Sequence, residues 1–137
     1  MISLYCIDDN DFIAEALMRR LRDSTDLRWA GWSSSPDALV ALLPDRAPDV
    51  LLLDIDIPGQ DTFALVRRLT LEAPALRVIF FSGHVRASYI DRAFEAGAWG
   101  YASKNDDTAE LLQGVRAVAR GEVYLSPEAR LAHRAER

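Results

Sequence analysis

Four short apolar runs in this chain each stop at a residue able to handle phosphate or a divalent cation. Ile2–Ile7 leads into Asp8 and Asp9, Val50–Leu53 into Asp54, residues 78–81 into Ser82, and residues 99–103 into Lys104. Mg²⁺ takes oxygen ligands, commonly one or two carboxylates with water and phosphate oxygens completing its shell. A lysine and a hydroxyl supply donors to a transferring phosphoryl group, whose chemistry depends on positioning and charge neutralisation. Each residue alone has an ordinary structural use: an aspartate or serine can cap a helix, and Lys104 can sit solvated on the surface. Three aspartates and a lysine in one place are different, because crowded carboxylates repel unless a cation stands between them.

The runs can meet only if they are parallel strands, since ligand crevices in open α/β sheets lie outside the carboxyl ends of the strands. The intervening segments fit that requirement. After Asn10, placed to cap, Ile13, Leu17 and Leu21 recur at helical spacing, with Glu15, Arg19, Arg20 and Arg22 elsewhere on the wheel. Residues 27–32 form a second strand, at an edge because they include Arg28 and Gly31. Ser35 before Pro36 opens a second helix over 36–43, which stops at Pro44. Val50–Leu53 is continuously apolar, as suits a central strand covered on both faces.

Asp61 or Thr62 opens a third helix carrying Phe63, Val66 and Leu69, ended by Ala73 before Pro74. Tyr89, Ile90, Ala93 and Phe94 mark a fourth helix, stopped by Gly97. Leu111, Leu112, Val115, Val118 and Ala119 mark a fifth, with Gly121 past its end, although Gly114 inside it costs about 1 kcal/mol against alanine. Five strands alternating with five helices predict a single flavodoxin-like, doubly wound (βα)5 domain with a five-stranded parallel sheet.

A length of 137 residues suits one domain with a real core. Half of the residues are hydrophobic and 27% charged, which argues against disorder. The net charge of −5 offers no basic surface, so direct nucleic-acid contact by this piece is not expected. No apolar stretch approaches the roughly 18 residues of a membrane helix. Residues 1–7 lack a basic leader and a cleavage site, unlike a signal peptide. Cys6 lies within the first apolar run and reads as a buried, inert thiol, and with no disulfide available a cytoplasmic location is expected. Trp29 and Trp32 read as packing residues, Ser34 and Ser35 as caps and His133 as a tail residue.

The ordered set of residues resembles the receiver domain of two-component response regulators. The match runs through Asp8, Asp9 and Asn10, then Pro48 to Asp54 with Pro58 and Gly59, then Ser82, Gly83 and His84, and finally Ala96 to Lys104. It covers residues 1–121. The resemblance implies that Asp54 is the phosphoacceptor, charged by a sensor histidine kinase, with Asp9 a direct Mg²⁺ ligand, Asp8 its outer-sphere support and the Asp56 backbone carbonyl also facing the metal. It further implies that Lys104 pairs with Asp54 and then with the phosphoryl group, that Ser82 bonds a phosphoryl oxygen, and that Tyr101 is an aromatic switch turning inward with Ser82. Such a domain is a signalling module rather than an enzyme, catalysing only its own phosphotransfer and slow dephosphorylation. His84 stands at a position that varies in the family and is assigned a loop or accessory role. Two departures are visible: Asn105 follows Lys104 where many relatives have proline, and Ser82 replaces the commoner threonine.

Phosphorylation would add about two negative charges at one sheet edge and bias a pre-existing equilibrium. The expected output surface is that of the fourth helix, fifth strand and fifth helix. Residues 117–128 resemble the receiver-to-effector junction of the NarL/FixJ group of transcriptional regulators, in which a LuxR-type helix-turn-helix domain follows. Residues 122–137 are accordingly expected to be a linker or short charged helix leading toward a DNA-binding output domain absent here, with homodimerisation on phosphorylation an open option. A stand-alone or unphosphorylated receiver-like interaction module is the competing reading. A flavodoxin-like enzyme fits less well, because acids replace a glycine-rich phosphate loop after the first strand.

Overall fold

The computed structural model describes residues 1–136, Pro44 by its backbone alone. The elements are β1 (Ile2–Ile7), α1 (Asp11–Leu21), β2 (Leu27–Ser33), α2 (Asp37–Arg46), β3 (Val50–Leu53) and α3 (Thr62–Glu72). They continue with β4 (Arg77–Ser82), α4 (Ala87–Ala96), β5 (Gly100–Ser103), α5 (Thr108–Ala119), β6 (Tyr124–Leu125) and α6 (Pro127–Ala135). Every strand pairing is parallel, in the order β2-β1-β3-β4-β5-β6.

The continuous apolar runs are explained by two cores, one on each face of the sheet. Successive side chains of a strand point to opposite faces. In β3, Leu51 and Leu53 therefore join a cluster with Phe63, Val66, Ile90, Ala93 and Ala129, beneath α3, α4 and α6. Val50 and Leu52 turn to the other cluster, with Leu17, Leu21, Leu111, Val115 and Val118 of α1 and α5. Cys6 is buried in this second cluster, where burial and the nearby Asp8 carboxylate push its thiol well above the ordinary range.

Helix starts follow side-chain chemistry at two of the expected places. The Asn10 side-chain oxygen accepts the Phe12 N–H at 3.0 Å, and Asp61 Oδ1 accepts the Ala64 N–H at 3.1 Å. Gly97 ends α4 at φ 110, a left-handed conformation open to glycine without strain. Residues 27–32 do lie in an edge strand, which extends to Ser33.

The structure corrects the expected pattern in three ways. Ser35 is not the cap of α2: Pro36 occupies that position with no side-chain cap bond, and the Ser35 carbonyl accepts the Ser33 hydroxyl at 2.7 Å. The helix also does not stop at Pro44 but continues to Arg46. Finally, the sheet has six strands rather than five. β6 pairs with β5 in the register Gly100↔Tyr124 and Tyr101↔Leu125, with the Tyr124 N–H donating to Trp99 O at 3.0 Å and the Ser126 N–H to Tyr101 O at 3.1 Å.

The added strand accounts for Gly114. A Cβ on Gly114 would fall 2.4 Å from the Tyr124 ring, so the helix accepts a poor helix former to let β6 approach. Beyond β6, Ser126 caps α6 by accepting the Ala129 N–H at 3.4 Å, and Pro127 takes the first turn. Of the segment 122–137, Arg137 lies outside the described residues.

Candidate functional site

Parallel registration brings the ends of four strands together. Ile7 pairs with Leu53, Leu53 with Phe80, and Ser82 with Ser103, so Asp8, Asp54, Ser82 and Lys104 emerge side by side at one edge. Lys104 Nζ lies 2.7 Å from Asp8 Oδ2 and 3.2 Å from Asp54 Oδ2, and 5.8 Å from the centre of the Phe81 ring. Asp8, Asp54 and Ser82 are buried, while Asp9 is exposed.

Hydrogen bonding holds the two buried carboxylates by their other oxygens. Asp8 Oδ1 accepts the Asn10 N–H at 2.9 Å, and Asp54 Oδ1 accepts the Asp56 N–H at 3.3 Å. Burial raises the pKa of Asp8, a shift that Lys104 and the Asn10 N–H oppose. Burial alone would lower the pKa of Lys104, yet its contacts with Asp8 and Asp54 hold it above the ordinary value, so the ammonium stays charged.

Asp8, Asp9 and Asp54 offer carboxylate oxygens that all lie within 4.8 Å of one another. Asp8 Oδ2 is buried and receives no directed hydrogen bond, only the ion pair with Lys104. An all-oxygen set with a buried, underused carboxylate oxygen suits a hard divalent cation, so the cluster could bind a metal ion.

The remaining predicted residues surround this pocket. Ser82 Oγ accepts the His84 N–H at 2.9 Å, which engages the hydroxyl with its own loop. Tyr101 is turned inward and fully buried, its hydroxyl donating to His84 O and its ring 6.2 Å from that of Phe80. Burial pushes its phenol well above the ordinary range. The Asp56 carboxylate faces outward and lies 2.9 Å from His84 Nε2, so two loops are bridged above Asp54.

Two contacts escaped the sequence reading. Trp32 does more than pack, since its Nε1–H donates to the Asp8 carbonyl at 2.8 Å and steadies the start of the acidic loop. The His84 to Asp56 pairing joins residues 28 positions apart, and only their shared spacing of two beyond Ser82 and Asp54 hinted at it.

Comparison with known proteins agrees with this geometry. The response regulator receiver domain pattern matches residues 4–116. The chain is 30% identical over 128 residues to Response regulator GacA of Pseudomonas viridiflava, covering 93% of this chain and 60% of GacA. It is 28% identical to the transcriptional regulatory protein DesR of Bacillus subtilis, covering 93% of this chain and 63% of DesR. The chain thus spans less than two thirds of the length of these curated relatives. Among solved structures, a LuxR-family two-component response regulator from Aurantimonas sp. SI85-9A1 superposes with a TM-score of 0.89 at 25% identity, covering 98% of this chain and 96% of that one. The chain belongs to the response regulator receiver domain family and is a receiver of the two-component type.

Proposed function

We propose that Asp54 is the phosphoacceptor of this receiver and that Mg²⁺ is the cation its acidic cluster holds. The observation that carries this reading is Lys104 bridging Asp8 and Asp54 at 2.7 and 3.2 Å, one ammonium shared between two buried carboxylates. A carboxylate oxygen of Asp54 attacks phosphorus in a phosphohistidine of a sensor histidine kinase. The P–O bond forms as the P–N bond breaks, and the departing imidazole takes a proton from solvent. Asp8, Asp9, Asp54 and the Asp56 carbonyl would hold Mg²⁺, which when bound neutralises charge on the phosphoryl oxygens. Lys104 turns from the carboxylates to the phosphoryl group, Ser82 donates to another of its oxygens, and inward Tyr101 packs behind the moved loop. The same groups serve the slow return reaction with water.

Residues 1–121 carry this switch, and residues 122–137 lead toward an output domain. The name of DesR, a transcriptional regulatory protein, and that of a second such relative support an output that controls transcription; we extend the reading to DNA binding by that output, a cytoplasmic location and a homodimer as one activated form. No helix among the described residues is long and apolar enough to cross a membrane.

Beryllofluoride, a phosphoryl mimic, tests the reading through the tryptophan signal, because Trp32 is bonded to the Asp8 carbonyl. Saturable fluorescence change that needs both Mg²⁺ and beryllofluoride, and is lost in Asp54→Ala, is the expected result. A spectrum indifferent to both would favour an interaction module that kept the fold without the chemistry.

A further inference from the structure

Lys104 is carried on a tight turn whose other residues are held from elsewhere in the chain. The Asp106 N–H donates to the Ser103 carbonyl at 3.2 Å, closing a four-residue turn with Lys104 at its second position, and the Lys104 N–H donates to the Ser82 carbonyl at 2.9 Å. The remaining support comes from the start of α6.

Glu128 reaches this turn at three residues. Its Oε2 accepts the Ser103 hydroxyl at 2.8 Å, its Oε1 accepts the Asn105 side-chain N–H at 3.5 Å, and its own N–H donates to Asp106 Oδ2 at 3.0 Å. Ser126 adds a fourth tie by accepting the Ser103 N–H at 3.0 Å, and Ser103 Oγ also accepts the Asn105 N–H at 3.0 Å. A proline at 105 could make neither of the Asn105 contacts. The residues on either side of Lys104 are thus bonded to the first turn of α6 or to its cap.

An acid in the first turn of a helix is ordinary, since it suits the positive end of the helix dipole. Glu128 departs from that use, because both of its oxygens are engaged by the turn and it lies outside residues 4–116, the span matched by the receiver pattern. The far end of the same helix serves α4 instead, where Glu136 Oε2 accepts the Ala87 N–H at 2.9 Å. Position matters for Lys104, whose ammonium meets two acceptors at once, 2.7 Å from Asp8 and 3.2 Å from Asp54. A shift of about 1 Å in the turn is enough to spoil one of them.

We propose that Glu128 is a positioning residue for Lys104: by clamping the turn 103–106 it holds the ammonium where it faces Asp8 and Asp54 and where a phosphoryl group on Asp54 would meet it. This rests on the phosphoacceptor reading. Loosening the turn should act with opposite sign on two ligands, because a less well placed ammonium competes less with Mg²⁺ for the carboxylates and also stabilises a phosphoryl group less. General disorder of the pocket would weaken both.

Titrations of the full chain with Mg²⁺ alone, and then with beryllofluoride at saturating Mg²⁺, separate these cases through tryptophan fluorescence. Glu128→Ala is expected to bind beryllofluoride about ten-fold more weakly and Mg²⁺ about two-fold more tightly, within the range for residues of one hydrogen-bond network. Ser103→Ala, which cuts the same tie from the turn's side, is expected to follow it. Glu128→Gln, which keeps an acceptor for the Ser103 hydroxyl, is expected to bind both as the natural chain does. In a Lys104→Ala background, where Mg²⁺ should bind more tightly still, Glu128→Ala is expected to leave Mg²⁺ affinity unaltered. Three results would overturn the proposal: unaltered mimic affinity in Glu128→Ala, parallel loss of Mg²⁺ and mimic, or an effect on Mg²⁺ that persists without Lys104. A natural chain that binds Mg²⁺ but not beryllofluoride would overturn the phosphoacceptor reading itself, and this role of Glu128 with it.

Discussion

The acidic pocket and the C-terminal wrap meet at β5, and they are built on opposite principles. The pocket gathers three carboxylates, two of them sharing one ammonium, with Asp8 and Asp54 only 1% and 5% exposed, an arrangement that costs stability unless a cation enters. The wrap of β6 and α6 hides Ala129 completely and satisfies its buried polar groups, as Ser126 does with Ser103. One region is tuned for a ligand and the other for the fold. Substitutions in the two should therefore shift stability in opposite directions.

The largest effect is expected from the wrap. Ala129→Asp would bury an unpaired carboxylate, and urea unfolding should register a loss of about 2–4 kcal/mol together with early proteolysis beyond residue 122. Unchanged stability would mean that α6 contributes nothing to the fold. Gly114→Ala sharpens the same point, because helix propensity alone promises a gain of about 1 kcal/mol. With the Tyr124 ring 2.4 Å from the new Cβ, a net loss of about 1 kcal/mol is expected instead. In a Tyr124→Ala background the sign should revert to a gain, a reversal that a double-mutant cycle reads directly.

The pocket should respond the other way, and more weakly. Asp8→Asn is expected to stabilise the metal-free chain by about 1 kcal/mol at neutral pH. The Asp8 pKa is raised in the fold, so its ionised form weakens the fold at pH values above that raised pKa. That penalty fades as pH falls toward the unfolded value, since the folded chain then binds the proton more readily. The Tm difference between Asp8→Asn and the natural chain should accordingly shrink on acidification, and Mg²⁺ should raise the Tm of the natural chain only. A variant less stable than its parent at neutral pH would show that the Lys104 pairing outweighs the crowding.

Much of this was legible in the residues themselves. Fully buried parallel strands announce themselves as unbroken apolar runs, and polar residues at the ends of Ile2–Ile7 and Val50–Leu53 share one edge because parallel register permits nothing else. What was not legible depended on tertiary contacts. A two-residue strand such as Tyr124–Leu125 has no period to detect, and Gly114 read only as a poor helix former, with nothing local to show that the Tyr124 ring packs there. Pro44 suggested a stop, yet α2 runs on to Arg46. The inward Tyr101 and the ties from Glu128 and Glu136 join residues distant in sequence, which no local pattern encodes.

Intact-mass analysis after incubation with acetyl phosphate and Mg²⁺ addresses Asp54 most directly. The natural chain should gain one phosphoryl group, with loss of that gain in Asp54→Asn and when Mg²⁺ is chelated. Equal labelling of Asp54→Asn, or no labelling of the natural chain, would contradict the assignment.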